Sequence, residues 1–414
     1  MENILNSKEY KRSRAFYIVQ CAVFYFITLL VSDAFLARLL SYMGISDSLV
    51  GIISTFISLA MISQLSSLFL LRTKVSRKNT VIVLNTISAF LFALVYLAPF
   101  LPINESFKNI IVTGGLLLAY MLQHAATPVY FKWANAYVDS GKRGEFSALK
   151  EIVSLIGGIV FTLIAGYVVD LYEGLGKIES AFIFIISSIL VLNIINFVSM
   201  LFIKKESSMS ESSKGLKEVI KYLVENKSFR NVVIMNTIFY AGNYFTFGFI
   251  GIFKLSELGI SLFVIQVINF IAQFIRAAIS KPFGRYTDKT SYAKGMRLAL
   301  SIMLISYVVI IFTFKSTWYL IILHTVLYNI ALAGTEQNAN NIMYSYVKND
   351  YLSEAVAIKN CIVGVMGFLA SLVAGFMVEK GMGIQSLAVI SCVMILIAII
   401  YLIKVIEKQK KIED

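Results

Sequence analysis

The chain has 414 residues, 58% of them hydrophobic and 15% charged, with a mean hydropathy of +0.78. Soluble domains carry about a quarter charged residues, so this composition excludes an ordinary water-soluble globule. Two histidines and three cysteines cannot build a zinc ribbon or a disulfide framework, so neither metal nor cofactor is expected.

A hydrocarbon core of roughly 30 Å takes about 20 mostly apolar residues per helix. Six segments meet that measure in the first half, at 15–42, 48–71, 80–100, 109–132, 146–170 and 181–203. Six more follow at 229–254, 261–281, 295–314, 317–341, 355–378 and 384–405. Each is too long for a strand and none shows the alternation of a β-barrel, which predicts an all-α polytopic membrane protein of twelve transmembrane helices. The polar, basic start MENILNSKEYKRSR and the length of span 1 argue against a removable signal peptide. The expected divisions are a first half at 1–203, a linker at 204–228 and a second half at 229–414. Within the linker, Leu216, Val219, Ile220, Leu223 and Val224 share one helical face. That pattern fits an interfacial amphipathic helix or a solvated helical connector.

The formal net charge of +13 is read from where the cations lie. If the N-terminus is cytoplasmic, 27 of the 37 Lys and Arg fall in cytoplasmic segments, including Arg72–Lys78, Lys204–Arg230 and Lys281–Arg297. The opposite loops hold single cations such as Lys108, Lys177, Lys254, Lys315 and Lys380. This is the positive-inside pattern, and it predicts that both termini are cytoplasmic and that the basic partner is the bilayer, not nucleic acid.

Residues 137–170 align without a gap on 346–379, a shift of 209 that is nearly half the chain. Ten of the 34 columns are identical, among them Tyr137/Tyr346, Lys150/Lys359, Gly158/Gly367 and Gly166/Gly375. Spans 5 and 11 run in the same sense, so the pattern is a 6+6 parallel repeat about an axis along the membrane normal. Between spans 8 and 9 stands GRYTDKTSYAK, in which Gly284, Asp288 and Lys289 fit a G-x-x-x-D-(R/K) loop pattern. Arg143-Gly144 enters span 5, and Gly44-Ile45-Ser46 is echoed by Gly259-Ile260-Ser261.

Together these features resemble the major facilitator superfamily of secondary transporters over essentially the whole chain. The resemblance implies that spans 1, 4, 7 and 10 line a central cavity. It also implies that Asp288 acts as a latch at a helix end, and that Arg143, Gly284 and Lys289 belong to the gating machinery. Two positions depart from the pattern. Asn79 stands where Asp288 has its first-half counterpart, and GGIVFTLIAG in span 5 lacks the proline-glycine run of drug–proton antiporters.

Ionisable groups at membrane depth are costly, so each is a functional candidate. Asn329, Glu336 and Asn340 fall on one face of span 10. Gln266, Asn269, Gln273 and Arg276 follow one face of span 8. Arg276 lies roughly 22 Å and Glu336 roughly 27 Å from the outer ends, so the two can meet in the inner half of the bundle. Span 4 adds Gln123 and His124, span 1 Asp33, and span 7 Tyr240 and Asn243. Such stripes also serve as interhelical glue. His324 and Arg38 read as snorkelling groups, Trp133 as an interface anchor. The expectation is a monomeric secondary transporter, not an enzyme, taking up a small polar or amphiphilic solute with protons. Efflux is the alternative, and a non-transporting membrane sensor the alternative of another class.

Overall fold

The computed structural model describes residues 7–66, 76–135, 137, 143–204, 216–348 and 351–409. Among the described residues, each of the twelve apolar segments is mainly helical and no strand occurs. Spans 3 to 6 are Arg77–Leu97, Glu105–Asn135, Arg143–Gly174 and Ile178–Phe202. Spans 7 to 10 are Lys227–Ile252, Leu262–Lys289, Tyr292–Ile311 and Leu320–Asn341. Spans 11 and 12 are Leu352–Glu379 and Ile384–Tyr401. Ten spans are long and apolar enough to cross a membrane; spans 7 and 10 fall short of that measure because asparagines and the GTEQNANN run dilute them.

The first two spans are not the continuous rods expected. Span 1 breaks into Lys8–Leu30 and Asp33–Tyr42. Span 2 breaks at Thr55 into Asp47–Ser54 and Phe56–Ala60, then tightens into a 3-10 turn at Met61–Ser66. Span 8 runs on through Lys289, so the Gly284–Lys289 pattern lies on its last turns and not in a loop.

Helix starts are set by side chains that accept orphan backbone N–H groups. Ser7 caps span 1 through Tyr10, Asn226 caps span 7 through Phe229, and Ser291 caps span 9 through Lys294. Four glycines with positive φ turn the chain at repeat-related places: Gly44 and Gly259 before spans 2 and 8, Gly176 and Gly381 before spans 6 and 12. Only glycine enters that region without a steric cost.

The extensive helix pairings fall into four matched sets. Span 3 packs on span 4 as span 9 does on span 10, and span 1 on span 5 as span 7 does on span 11. Spans 1 and 3 pack on span 6 as spans 7 and 9 pack on span 12. The repeated Tyr137 and Tyr346 do matching work, donating to the carbonyls of Lys204 and Ile406 just past spans 6 and 12.

The chain forms two compact units. Unit 1 comprises Met1–Leu39, Ser63–Ser212 and Ser261–Gln266; unit 2 comprises Leu40–Ile62, Ser213–Ile260 and Val267–Asp414. In unit 1, Tyr17, Val81, Val129, Trp133, Tyr137, Met200 and Ile203 form a buried cluster. Trp133 is fully buried and donates its indole N–H to the Lys204 carbonyl, so it is a core residue and not an interface anchor. In unit 2, span 2 lies backbone to backbone with spans 7 and 11. The Ser48 and Ser58 hydroxyls donate to the carbonyls of Gly375 and Gly364, each at 2.7 Å.

The linker segment contains the helix Leu216–Glu225. Val219 and Leu223 are buried, and the Tyr222 ring stacks on Tyr351 at 4.1 Å. The Asn226 amide donates to the Tyr346 carbonyl. One apolar strip of this helix is therefore spent on docking within unit 2, while Ile220 and Val224 stay exposed.

Candidate functional site

In unit 2 the centre of the site is the ion pair of Arg276 and Glu336, which the helical spacing of spans 8 and 10 anticipated. Its approach depends on what span 10 lacks: a Cβ at Gly334 would collide with the Phe283 ring of span 8. One residue beyond Glu336, the Gln337 amide donates to the Ser280 carbonyl at 3.4 Å, a second tie between the same two helices. Arg276 is mostly covered, with 13% of its side chain exposed, whereas Glu336 keeps 55% exposed. The pair thus joins a largely covered cation to a carboxylate that is open on one side.

Around this pair, span 7 supplies an aromatic wall. Tyr240 and Tyr244 are stacked at 6.3 Å, and Phe247 is stacked on Tyr328 of span 10 at 6.1 Å. Asn243 is buried and its side-chain carbonyl accepts from both the Tyr307 and the Tyr328 hydroxyl, at 2.9 and 3.1 Å. Its acceptor capacity is used in holding spans 7, 9 and 10 together, which is the structural role that buried amides often take. Asn329 donates to the Thr325 carbonyl one turn back on its own helix. Gln273 has a buried side-chain oxygen with no donor among the described residues. Asn269 is half-buried, and the side chain of Asn340 lies outside the described residues.

In unit 1 the candidate groups are Asp33, Gln123 and His124. Asp33 opens the second piece of span 1 at a φ of +46°, the one non-glycine residue with positive φ among the described residues. Carbonyls freed by that break are taken up by two tyrosines. Tyr96 donates to Leu30 at 2.5 Å and Tyr120 to Val31 at 2.6 Å. A broken helix at membrane depth is tolerated where protein groups satisfy it, and such breaks form binding sites in transporters. His124 pairs through Nδ1 with the Gln64 amide at 3.3 Å, and the buried side-chain oxygen of Gln123 has no donor among the described residues.

Several expected positions stand elsewhere. His324 is buried, not snorkelling, with Nδ1 2.9 Å from the Ser306 carbonyl, so the imidazole ties span 10 to span 9. Lys254, read as an outer-loop cation, is buried at the end of span 7. Asp288 and Lys289 are exposed on the last turn of span 8, and the side chain of Arg143 lies outside the described residues. Two residues escaped the sequence reading. Lys359 entered only as a repeat identity, yet it is 1% exposed and donates to the Ala339 carbonyl near the end of span 10. Gln64 lies beyond the break in span 2, where hydropathy gives no cue.

The Major Facilitator Superfamily model matches residues 232–414, the second half of the chain. A comparison with curated proteins finds no match. Among solved structures, the POT family transporter PepTSo is similar with a TM-score of 0.73 at 10% identity, covering 96% of this chain and 99% of that one. The D-xylose-proton symporter gives 0.71 at 13% identity, covering 95% and 97%. The nucleoside transporter NupG gives 0.65 at 14%, covering 98% and 100%. Residues 232–414 thus match the Major Facilitator Superfamily model by sequence, and the whole chain is similar in fold to these transporters.

Proposed function

We propose that the protein is a secondary transporter that takes up a small polar solute together with protons by alternating access. The Arg276–Glu336 pair carries this reading. A carboxylate that faces a guanidinium on a neighbouring helix can trade that partner for a proton when the two helices move apart, which is the coupling step proposed here. The half-open geometry suits such a cycle. Breaking a fully buried pair costs about 3–5 kcal/mol, whereas an exposed one contributes about 0–1 kcal/mol, and Glu336 lies toward the second case.

Within unit 2, the open Glu336 carboxylate and the aromatic wall of spans 7 and 10 suit a solute with hydroxyl or amide groups. Nucleosides and D-xylose, the solutes for which two of the similar structures are named, are the first to screen by thermal shift. A ligand of the native state raises apparent stability. Uptake is favoured over efflux because span 5 has Phe161 and Thr162 where drug–proton antiporters carry glycine and proline.

The test is Glu336→Gln in proteoliposomes with a solute found by that screen. Accumulation driven by a pH gradient is expected to be lost while solute exchange across the membrane persists. Unchanged gradient-driven accumulation would remove Glu336 from the coupling step.

A further inference from the structure

The first turn of span 8 belongs to unit 1, where it rests on the outer end of span 5. Asp170, one turn before the end of span 5, accepts from two of its backbone N–H groups: Leu262 to Oδ1 at 3.2 Å and Phe263 to Oδ2 at 2.7 Å. The first N–H groups of a helix have no partner within it and form its positive end, so a carboxylate there is a charge-assisted cap supplied by another helix. Gly166, one turn earlier on span 5, permits the approach. A Cβ there would lie 3.3 Å from the Phe263 Cα and 3.1 Å from the Gln266 Cγ. Beside this contact Arg38 pairs with Glu173.

The repeat shows what is particular to this end. Gly375, the counterpart of Gly166, backs onto Ile52 and Ser48 at the start of span 2, so the close approach is duplicated. The counterpart of Asp170 is Glu379, which is exposed. The start of span 2 is held by the neutral Ser48 hydroxyl on the Gly375 carbonyl. Among the described residues, the charged cap is therefore seen at one of the two equivalent places. Span 8 is one uninterrupted helix from Leu262 to Lys289, and it carries Arg276 about 21 Å further along.

We propose that Asp170 is a latch on span 8: its carboxylate holds the helix start against span 5 in this state, and release of the latch lets the helix swing, moving Arg276 relative to Glu336. The consequence for Glu336 rests on the transport reading above; the latch itself does not.

Spin labels at the exposed Leu175 and Phe270, in a background with Cys21, Cys361 and Cys392 replaced by alanine, report the distance between span 5 and span 8 in purified protein. Asp170→Asn removes the charge at constant shape, and Asp170→Ala removes the acceptor. Both are expected to add a longer-distance population, with the ratio of open to closed shifted about tenfold or more in the alanine variant, which loses both charged hydrogen bonds. Asp170→Glu and Glu379→Ala are expected to retain the parent distribution. An unchanged distribution in both Asp170→Asn and Asp170→Ala overturns the proposal, as does an equal change in Glu379→Ala. These distances need no solute and no gradient, so they are read independently of the fate of the Glu336→Gln test.

Discussion

At Asp33, backbone and chemistry can be separated. A left-handed backbone costs an ordinary L-residue about 1–2 kcal/mol, and asparagine and aspartate bear it better than most. Asp33→Asn keeps that tolerance and loses the charge, while Asp33→Gly relieves the strain and loses the side chain. Both are expected to melt within a few degrees of the parent, and Asp33→Ala lower, by about 1 kcal/mol in thermal unfolding. If the carboxylate takes part in transport, the Asn and Gly variants lose solute accumulation while keeping their stability. Retained accumulation in both would leave Asp33 a purely conformational role. The residue itself was legible, because an acid at membrane depth draws attention. The break was not, since apolar residues run on either side of Ser32-Asp33 and the groups that satisfy it, Tyr96 and Tyr120, come from spans 3 and 4.

Among the helices, small residues decide how close the backbones come. A Cβ at Gly248 would meet the Gly51 carbonyl oxygen and the Thr55 methyl, so span 7 and span 2 touch through their backbones. Backbone cannot swing aside as a flexible side chain does. Gly248→Ala is therefore expected to cost about 1–3 kcal/mol from overpacking, outweighing the gain in helix propensity. Gly114 in span 4 has nothing within 4 Å of a would-be Cβ, so Gly114→Ala is expected to leave stability unchanged or raise it. Thermal unfolding of the two variants in the same detergent compares them directly; equal melting temperatures would refute the backbone contact.

Helix positions were legible because apolar length and turn glycines are local signals. The repeat of spans 5 and 11 was legible because the shared glycines sit where neighbours press in, as Gly367 does beneath Tyr244 and Ser58. The interruption at Thr55 and the run of span 8 through Pro282 to Lys289 depend on neighbours far away in the chain, and no local pattern carries them. Arg276 and Glu336 were brought together by their helix faces and depths, whereas the distribution of burial between them had to come from the structure.

For the whole molecule, the cations predict the orientation, and several of them also hold helix ends. Lys78 donates to the Leu201 and Ile203 carbonyls at the end of span 6, and Arg14 to the Tyr137 carbonyl. Lys204 pairs with Glu9, which holds the lysine's pKa above its ordinary value through their hydrogen bond. The same residues thus count in the charge asymmetry and close off orphan carbonyls, so topology and packing favour one arrangement. If the 27 of 37 cations that the twelve-span reading puts on the side of the termini set the orientation, a reporter fused after Asp414 behaves as cytoplasmic. A fluorescent protein there should mature and glow, and alkaline phosphatase there should stay inactive. The same pair of reporters placed after Lys177, in the turn between spans 5 and 6, should give the reverse. The opposite pattern at both sites would invert the protein in the membrane, place the Asp170 contact on the cytoplasmic side, and require the solute path to be redrawn from the other face.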